Sequence, residues 1–162
     1  MKDGMLILEP PQIMINPAAA AGQKKVVVSF ASQPKLVPGR RSWVTYRELG
    51  VTDASHGEMR AQVIQSEGGG DTKSTGWHLH HCDMQFLYVM SGAINIAFTP
   101  EHVVRLAQGD SIMIPGGTVH TELGEPGGVN VLELSLPADM GTVSCTPPWA
   151  EIDVDLSKAI SH

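Results

Sequence analysis

One alternating stretch, Trp77-His78-Leu79-His80, constrains this chain more than any other. Side chains in a strand point to opposite faces with period two, so His78 and His80 project together on one side. Two imidazoles on one face are half of a metal site. A polar turn follows at His81-Cys82-Asp83, and an apolar run from Phe86 to Met90 then reaches Ser91-Gly92, which reads as the turn that closes a second strand. Gln85 stands at the entry to that strand.

Imidazole nitrogen is the commonest side-chain ligand for borderline divalent metals, and an amide or carboxylate oxygen completes a mixed shell. A third histidine, His120, follows the Pro115-Gly116-Gly117 turn that ends an apolar run beginning after Gly109. The expected ligands are therefore His78, His80 and His120, with Gln85 as the fourth. Asp83 is the alternative oxygen donor if its turn folds inward. Cys82 reads as an unreactive neighbour in the bend, and His81 faces away from the pair on a strand reading. His56, His102 and His162 lie in turns or at the chain end.

These motifs resemble the cupins. The first cupin motif is Gly, five residues, His-x-His, three or four residues, Glu, six residues, Gly; His78, His80, Gln85 and Gly92 follow it. The second is Gly, five residues, Pro-x-Gly, two residues, His, three residues, Asn; Gly109, Pro115, Gly117 and His120 match. Three positions depart from the pattern. The opening glycine is out of register, with Gly76 only two residues before His78 and Gly70 a loose candidate. Gln85 replaces the glutamate, and Gly124 replaces the asparagine. A neutral amide is a weaker ligand than a carboxylate and leaves the site one unit more positive. The resemblance spans about residues 60 to 136. It implies an all-β fold, a double-stranded β-helix or jelly-roll barrel of antiparallel strands with the metal inside.

Length and composition agree with that class. A chain of 162 residues is one ordinary domain, and Gly 17 with Pro 11 supplies the turns that a many-stranded β domain needs. Eleven basic against seventeen acidic residues, net −6, argue against a nucleic-acid groove or an anionic membrane surface. Two cysteines, Cys82 and Cys145, form no disulfide framework and indicate a reducing compartment. Leu6-Ile7-Leu8 is too short for a signal peptide, and no stretch approaches the length of a membrane span. A cytoplasmic protein is expected.

In chain order, residues 1–24 read as an irregular arm, 25–137 as the barrel with motifs at 76–92 and 109–124, and 138–162 as a tail. Val26-Val27-Val28 marks a first strand over Lys25 to Phe30, and Ser42 to Glu48 a second. Arg40 and Arg41, in the loop between them, read either as a solvated pair or as a hold on an anionic substrate. Met59 to Ser66 is a strand with Ala61 and Val63 on one face. The glycine-rich segment from Glu67 to Ser74 lacks the context of a nucleotide-binding loop and reads as a flexible loop leading into the His78–His80 strand, on whose action as a lid the sequence is silent. Positions 85, 87 and 89 share a face, as do Ile94, Ile96 and Phe98, which gives a mostly apolar pocket. Met84, Met90 and Met113 read as core filler, and Trp77 and Tyr88 either rim the pocket or pack outside. Gly128 to Leu136 is the last strand, and a helical turn is expected around Ser157 to Ile160. There is no internal repeat and no second motif pair.

By resemblance, the chain is a mononuclear metal-dependent dioxygenase or lyase acting on a small chelating molecule, with Fe, Mn, Zn or Ni as cofactor. The alternative is a non-catalytic metal or small-molecule binding module. Glu122 and Glu133 are candidate general bases if their strands turn them inward, which alternation leaves open. A homodimer is expected, through Val26 to Phe30 or the N-terminal arm, since an open jelly-roll edge needs cover.

Overall fold

The computed structural model describes residues 23–67 and 74–161. Most of the expected N-terminal arm, most of the glycine-rich loop with Gly70, and His162 lie outside the described residues. Nine strands, one four-residue helix and one 3-10 turn follow in order: β1 (Lys35–Pro38), β2 (Val44–Glu48), α1 (Val51–Ala54), β3 (Arg60–Ser66), β4 (His78–His80), β5 (Met84–Thr99), β6 (His102–Ala107), β7 (Ser111–Pro115), β8 (Thr121–Leu136), β9 (Thr142–Ser144), and the 3-10 turn Leu156–Lys158. All strand pairs are antiparallel. Seven strands form one curled sheet in the order β1-β2-β3-β8-β5-β6, with β7 also pairing β5, while β4 pairs β9. No helix among the described residues is long and apolar enough to cross a membrane.

Two sixteen-residue strands, β5 and β8, form the spine of the barrel. Their pairing shifts register between Val89 and Ser91 and again between Gly92 and Ile94. Such bulges bend and twist a strand, which lets one strand serve both sides of a curled sheet. Gly92 is required there: its φ is +77°, and a Cβ would lie 2.2 Å from the Gly128 carbonyl oxygen. The expected turn at Ser91-Gly92 is thus a bulge inside a continuous strand. A local Gly signal does not distinguish the two, because both need a left-handed residue.

Alternation sets the barrel interior. Leu87, Val89, Ile96, Leu106, Ile114, Val129 and Val131 are buried together, with Ile94 and Phe98 packed against them. Each large apolar side chain buried this way contributes roughly 1.5–3 kcal/mol. A smaller cluster of Ala97, Val103 and Leu123 takes Trp77, Val154, Leu156 and Ala159. The C-terminal segment is thereby tied to the barrel, and Ile160 also bridges Val104. Asp155 caps the Leu156–Lys158 turn through the Ser157 amide at 3.1 Å.

Several local expectations need correction. Residues Lys25 to Phe30 form no strand, and Val26, Val28 and Phe30 are exposed. The β-branched run has strand propensity but no neighbouring strand to pair with, and propensity without a ladder does not make a strand. The first strand is instead Lys35–Pro38, inside the expected loop. A further strand, Thr142–Ser144, follows Leu136. Met90 and Met113 are 46% and 54% exposed rather than core, because their positions fall on the outer face of β5 and β7. Tyr88 shares that outer face. Trp77 meets Trp149 edge to face at 6.4 Å.

Candidate metal centre and cavity

Strand β4 is only three residues long, yet it is held on both edges. On one side it pairs with β9, His78 opposite Ser144 and His80 opposite Thr142. On the other, His78 and His120 exchange both backbone hydrogen bonds, at 3.0 and 2.9 Å, and the Gly117 amide donates to the His80 carbonyl at 2.8 Å. Directly opposed residues of an antiparallel pair send their side chains to the same face. The third histidine therefore joins the first two by backbone register. The Pro115-Gly116-Gly117 turn makes this approach possible: a Cβ on Gly116 would sit 1.6 Å from the Cys82 carbonyl oxygen.

The three rings converge. Centroids lie 4.5 Å apart for His78 and His120, 5.0 Å for His78 and His80, and 5.3 Å for His80 and His120. One ring nitrogen from each lies within 4.8 Å of the others, and all three residues are buried. Every Nδ1 is committed elsewhere. That of His78 donates to the Gly76 carbonyl at 2.7 Å, that of His120 to the Thr118 carbonyl at 2.8 Å, and that of His80 bonds the Thr142 hydroxyl at 2.9 Å. Such bonds fix ring orientation and turn Nε2 inward, the arrangement usual for metal-binding histidines. Nε2 of His80 and of His120 are buried with no hydrogen-bond partner. Orphaned buried nitrogens aimed at one another are costly unless something cationic sits between them, so the donor set fits a divalent ion.

A carboxylate stands beside them. Glu122 Oε2 lies 3.6 Å from His78 Nε2, and Oε1 lies 3.6 Å from His120 Nε2. The Thr75 hydroxyl donates to the same carboxylate. Burial favours the neutral acid at Glu122, but the nearby imidazoles of His120 and His78 and the Thr75 hydroxyl outweigh it and hold the carboxyl well below its usual range. His120 moves the opposite way: burial would lower it, but Glu122, the Thr118 carbonyl and Glu133 together raise it. Burial lowers His78, and burial with the neighbouring His78 and His120 takes His80 down to about 4.

The sequence offered Glu122, two residues after His120, only as a candidate whose face was open, and the structure turns it toward His78 and His120. It sets beside the histidines a carboxylate that the first motif, with its neutral Gln85, lacks.

Gln85 and Glu133 also line the cavity. Gln85 donates Nε2–H to Glu133 Oε1 at 2.8 Å, Gln62 donates to Glu133 Oε2, and the Oε1 atoms of both glutamines are buried without partners. Burial pushes the Glu133 carboxyl up, against the lowering effect of the two amide donors. Asp83 and His81 are exposed and Cys82, though buried, lies outside the cluster. Both cysteines are free thiols. His56, at the surface, bonds the Gln23 carbonyl.

The cavity has a volume of about 310 Å³. Apolar walls come from Val44, Ile64, Leu87, Ile94, Val129 and Val131, and polar groups from Tyr46, Gln62, Gln85, Glu122 and Glu133. The inward face of β3 is thus Gln62 and Ile64. Ala61 and Val63 share the other face, buried outside the cavity.

A family profile for the Cupin domain matches residues 66–124, the span that carries all three histidines, Gln85 and Glu122. That segment is a cupin domain. Solved cupin-fold structures resemble the chain at low sequence identity. The polyketide cyclase RemF from Streptomyces resistomycificus aligns with a TM-score of 0.61 and 18% identity, covering 75% of this chain and 87% of that one. KdgF from Halomonas sp. aligns with a TM-score of 0.57 and 17% identity, over 71% and 97%. Fe(II)-HppE aligns with a TM-score of 0.52 and 16% identity, over 68% and 60%. These likenesses establish the fold alone. No curated protein matches the sequence.

Proposed function

We propose that this cupin-domain protein is a metal-dependent enzyme that moves a proton on a small chelating organic substrate, a lyase- or isomerase-type step. The observation that carries this reading is the pair of carboxyl groups, Glu122 and Glu133, lining one cavity with His78 and His80 of the histidine cluster. Their environments push them apart, Glu122 toward the carboxylate and Glu133 toward the acid. Divergent environments for two acids are the usual basis for separate acid and base roles. Held at His78, His80 and His120, with Glu122 and in part Gln85 as oxygen donors, a divalent ion would supply Lewis acidity toward a substrate oxygen. Glu133 would then take or give the proton at a neighbouring carbon. The two glutamine amides hold its carboxyl in place, and the apolar walls exclude bulk water from it.

The test is hydrogen–deuterium exchange of pentane-2,4-dione in D2O with zinc-loaded protein, followed by NMR. Wild-type protein should accelerate exchange, and Glu133→Gln should slow it by about 100-fold or more, the usual worth of a positioned base, with zinc content unchanged. Zinc binding without accelerated exchange in the wild type would instead favour the binding-module reading. Oxygen-dependent oxidation on iron is the second reading, favoured by the Fe(II)-bound neighbour, and oxygen uptake after Fe(II) loading separates it from proton transfer. We further propose a cytoplasmic location, in keeping with two free thiols. A homodimer is also proposed, supported by exposed apolar side chains at Val26, Val28 and Phe30.

A further inference from the structure

Among the described residues, several basic side chains have acidic partners. Lys24 pairs with Glu58, Lys158 with Glu101, and Arg105 with Glu125 through two bonds of 2.7 and 2.8 Å. Two of the three guanidinium groups at the cavity are different. Arg40, Arg41 and Arg60 all line it. Arg41 Nη2 donates to the Thr75 carbonyl, just ahead of the histidine strand. Among the described residues, the guanidinium of Arg40 makes no hydrogen bond and no ion pair, and neither does that of Arg60. On a chain of net charge −6, such unpaired cations at a cavity wall are a departure from the surrounding acidity.

The two lie at different ends. Strand pairing sets Val44 opposite Ser66, so the turn carrying Arg40 lies beside the far end of β3, while Arg60 begins that strand. Six residues of strand separate them by about 20 Å. Arg40 lies on the histidine side: its charge acts on His78, His80 and Tyr46, and its backbone amide meets the Tyr46 hydroxyl at 3.5 Å. The charge of Arg60 acts on Glu133 instead.

We infer that the substrate is an organic anion, with a carboxylate that Arg40 receives at the cavity wall while the chelating oxygens lie at the histidine cluster. A guanidinium presents a planar fork of donors that matches a carboxylate, and an unpaired one has that fork free. The cavity volume of about 310 Å³ suits a small organic acid. This inference rests on the metal-dependent reading above and specifies its substrate class.

The experiment compares two probes on zinc-loaded protein by calorimetry: acetohydroxamate, a neutral chelator, and succinic monohydroxamate, which adds a carboxylate on a short tether. Wild-type protein should bind the carboxylated probe about tenfold more tightly, the minimum expected of a charge-assisted pair. Arg40→Gln should abolish that preference while keeping zinc stoichiometry and acetohydroxamate affinity. Arg60→Gln removes the same charge from the same cavity and should keep most of the preference. Equal affinity for both probes in the wild type overturns the inference and leaves the proposed function standing. Equal losses in the two variants also overturn it, since a general field rather than a contact would then be at work. If zinc adds nothing to the affinity of either probe, the proposed function falls and this inference with it.

Discussion

The two halves of the barrel interior are built on the same strands and differ in what they leave unsatisfied. Along β5 the inward face reads Gln85, Leu87, Val89 and, past the bulges, Ile94 and Ile96. It runs from a polar half into an apolar one. In the apolar half, Val89, Ile96, Ile114 and Val131 are almost wholly buried against each other. In the polar half, the Nε2 atoms of His80 and His120 and the Oε1 atoms of Gln62 and Gln85 are buried without partners. An unpartnered buried polar atom costs roughly 1–3 kcal/mol. A fold that keeps four of them together gives up stability there and recovers it in the apolar half. The comparison separates a half that holds the protein together from a half reserved for a ligand.

The largest expected effect is at the cluster. His120→Ala removes one nitrogen from a three-nitrogen set, and metal content by elemental analysis should fall to background while the fold persists by circular dichroism. Retained metal would mean that the cluster is not the site, and the contrast between the halves would collapse.

Next comes the apolar half. Ile96→Ala should lower unfolding free energy by about 2–5 kcal/mol in urea titrations, the usual cost of a large-to-small core substitution. Metal stoichiometry should not change. If Ile96→Ala lost metal as readily as His120→Ala, the halves would be coupled rather than distinct.

The smallest effect sharpens the polar half itself. Glu122→Gln should weaken metal affinity by about 10- to 100-fold, as expected for a charged group that touches or orients ligands. Gln85→Glu should strengthen affinity if Gln85 is a ligand. Unchanged affinity would leave Gln85 to its bond with Glu133. Competition with a metal-sensitive dye measures both variants on one scale.

Much of the site could be read without coordinates, because its geometry is local or carried by motif spacing. His78 and His80 share a face by strand alternation. Gln85, Leu87 and Val89 share theirs by the same rule, and His120 follows a Pro-Gly-Gly turn at family spacing. Alternation says which residues point the same way, but it does not say which way that is. Glu122 and Glu133 remained open for this reason, and β3 turned Gln62 and Ile64 inward rather than Ala61 and Val63. The run at Val26 to Val28 was misleading in a related manner, since a strand exists only where another strand can pair with it.

The sequence by itself therefore determined the all-β class, the cupin pattern and the three histidines, all of which rest on period-two alternation and short fixed spacings. Only the tertiary structure decided that β5 and β8 run unbroken through bulges, that Thr142 from β9 anchors His80, that Glu122 faces His78 and His120, and that Arg40 borders the same cavity as Glu133. Each of those facts is a pairing between residues dozens of positions apart. Strand register and sheet curvature fix such pairings, and neither is written in any local window of the chain.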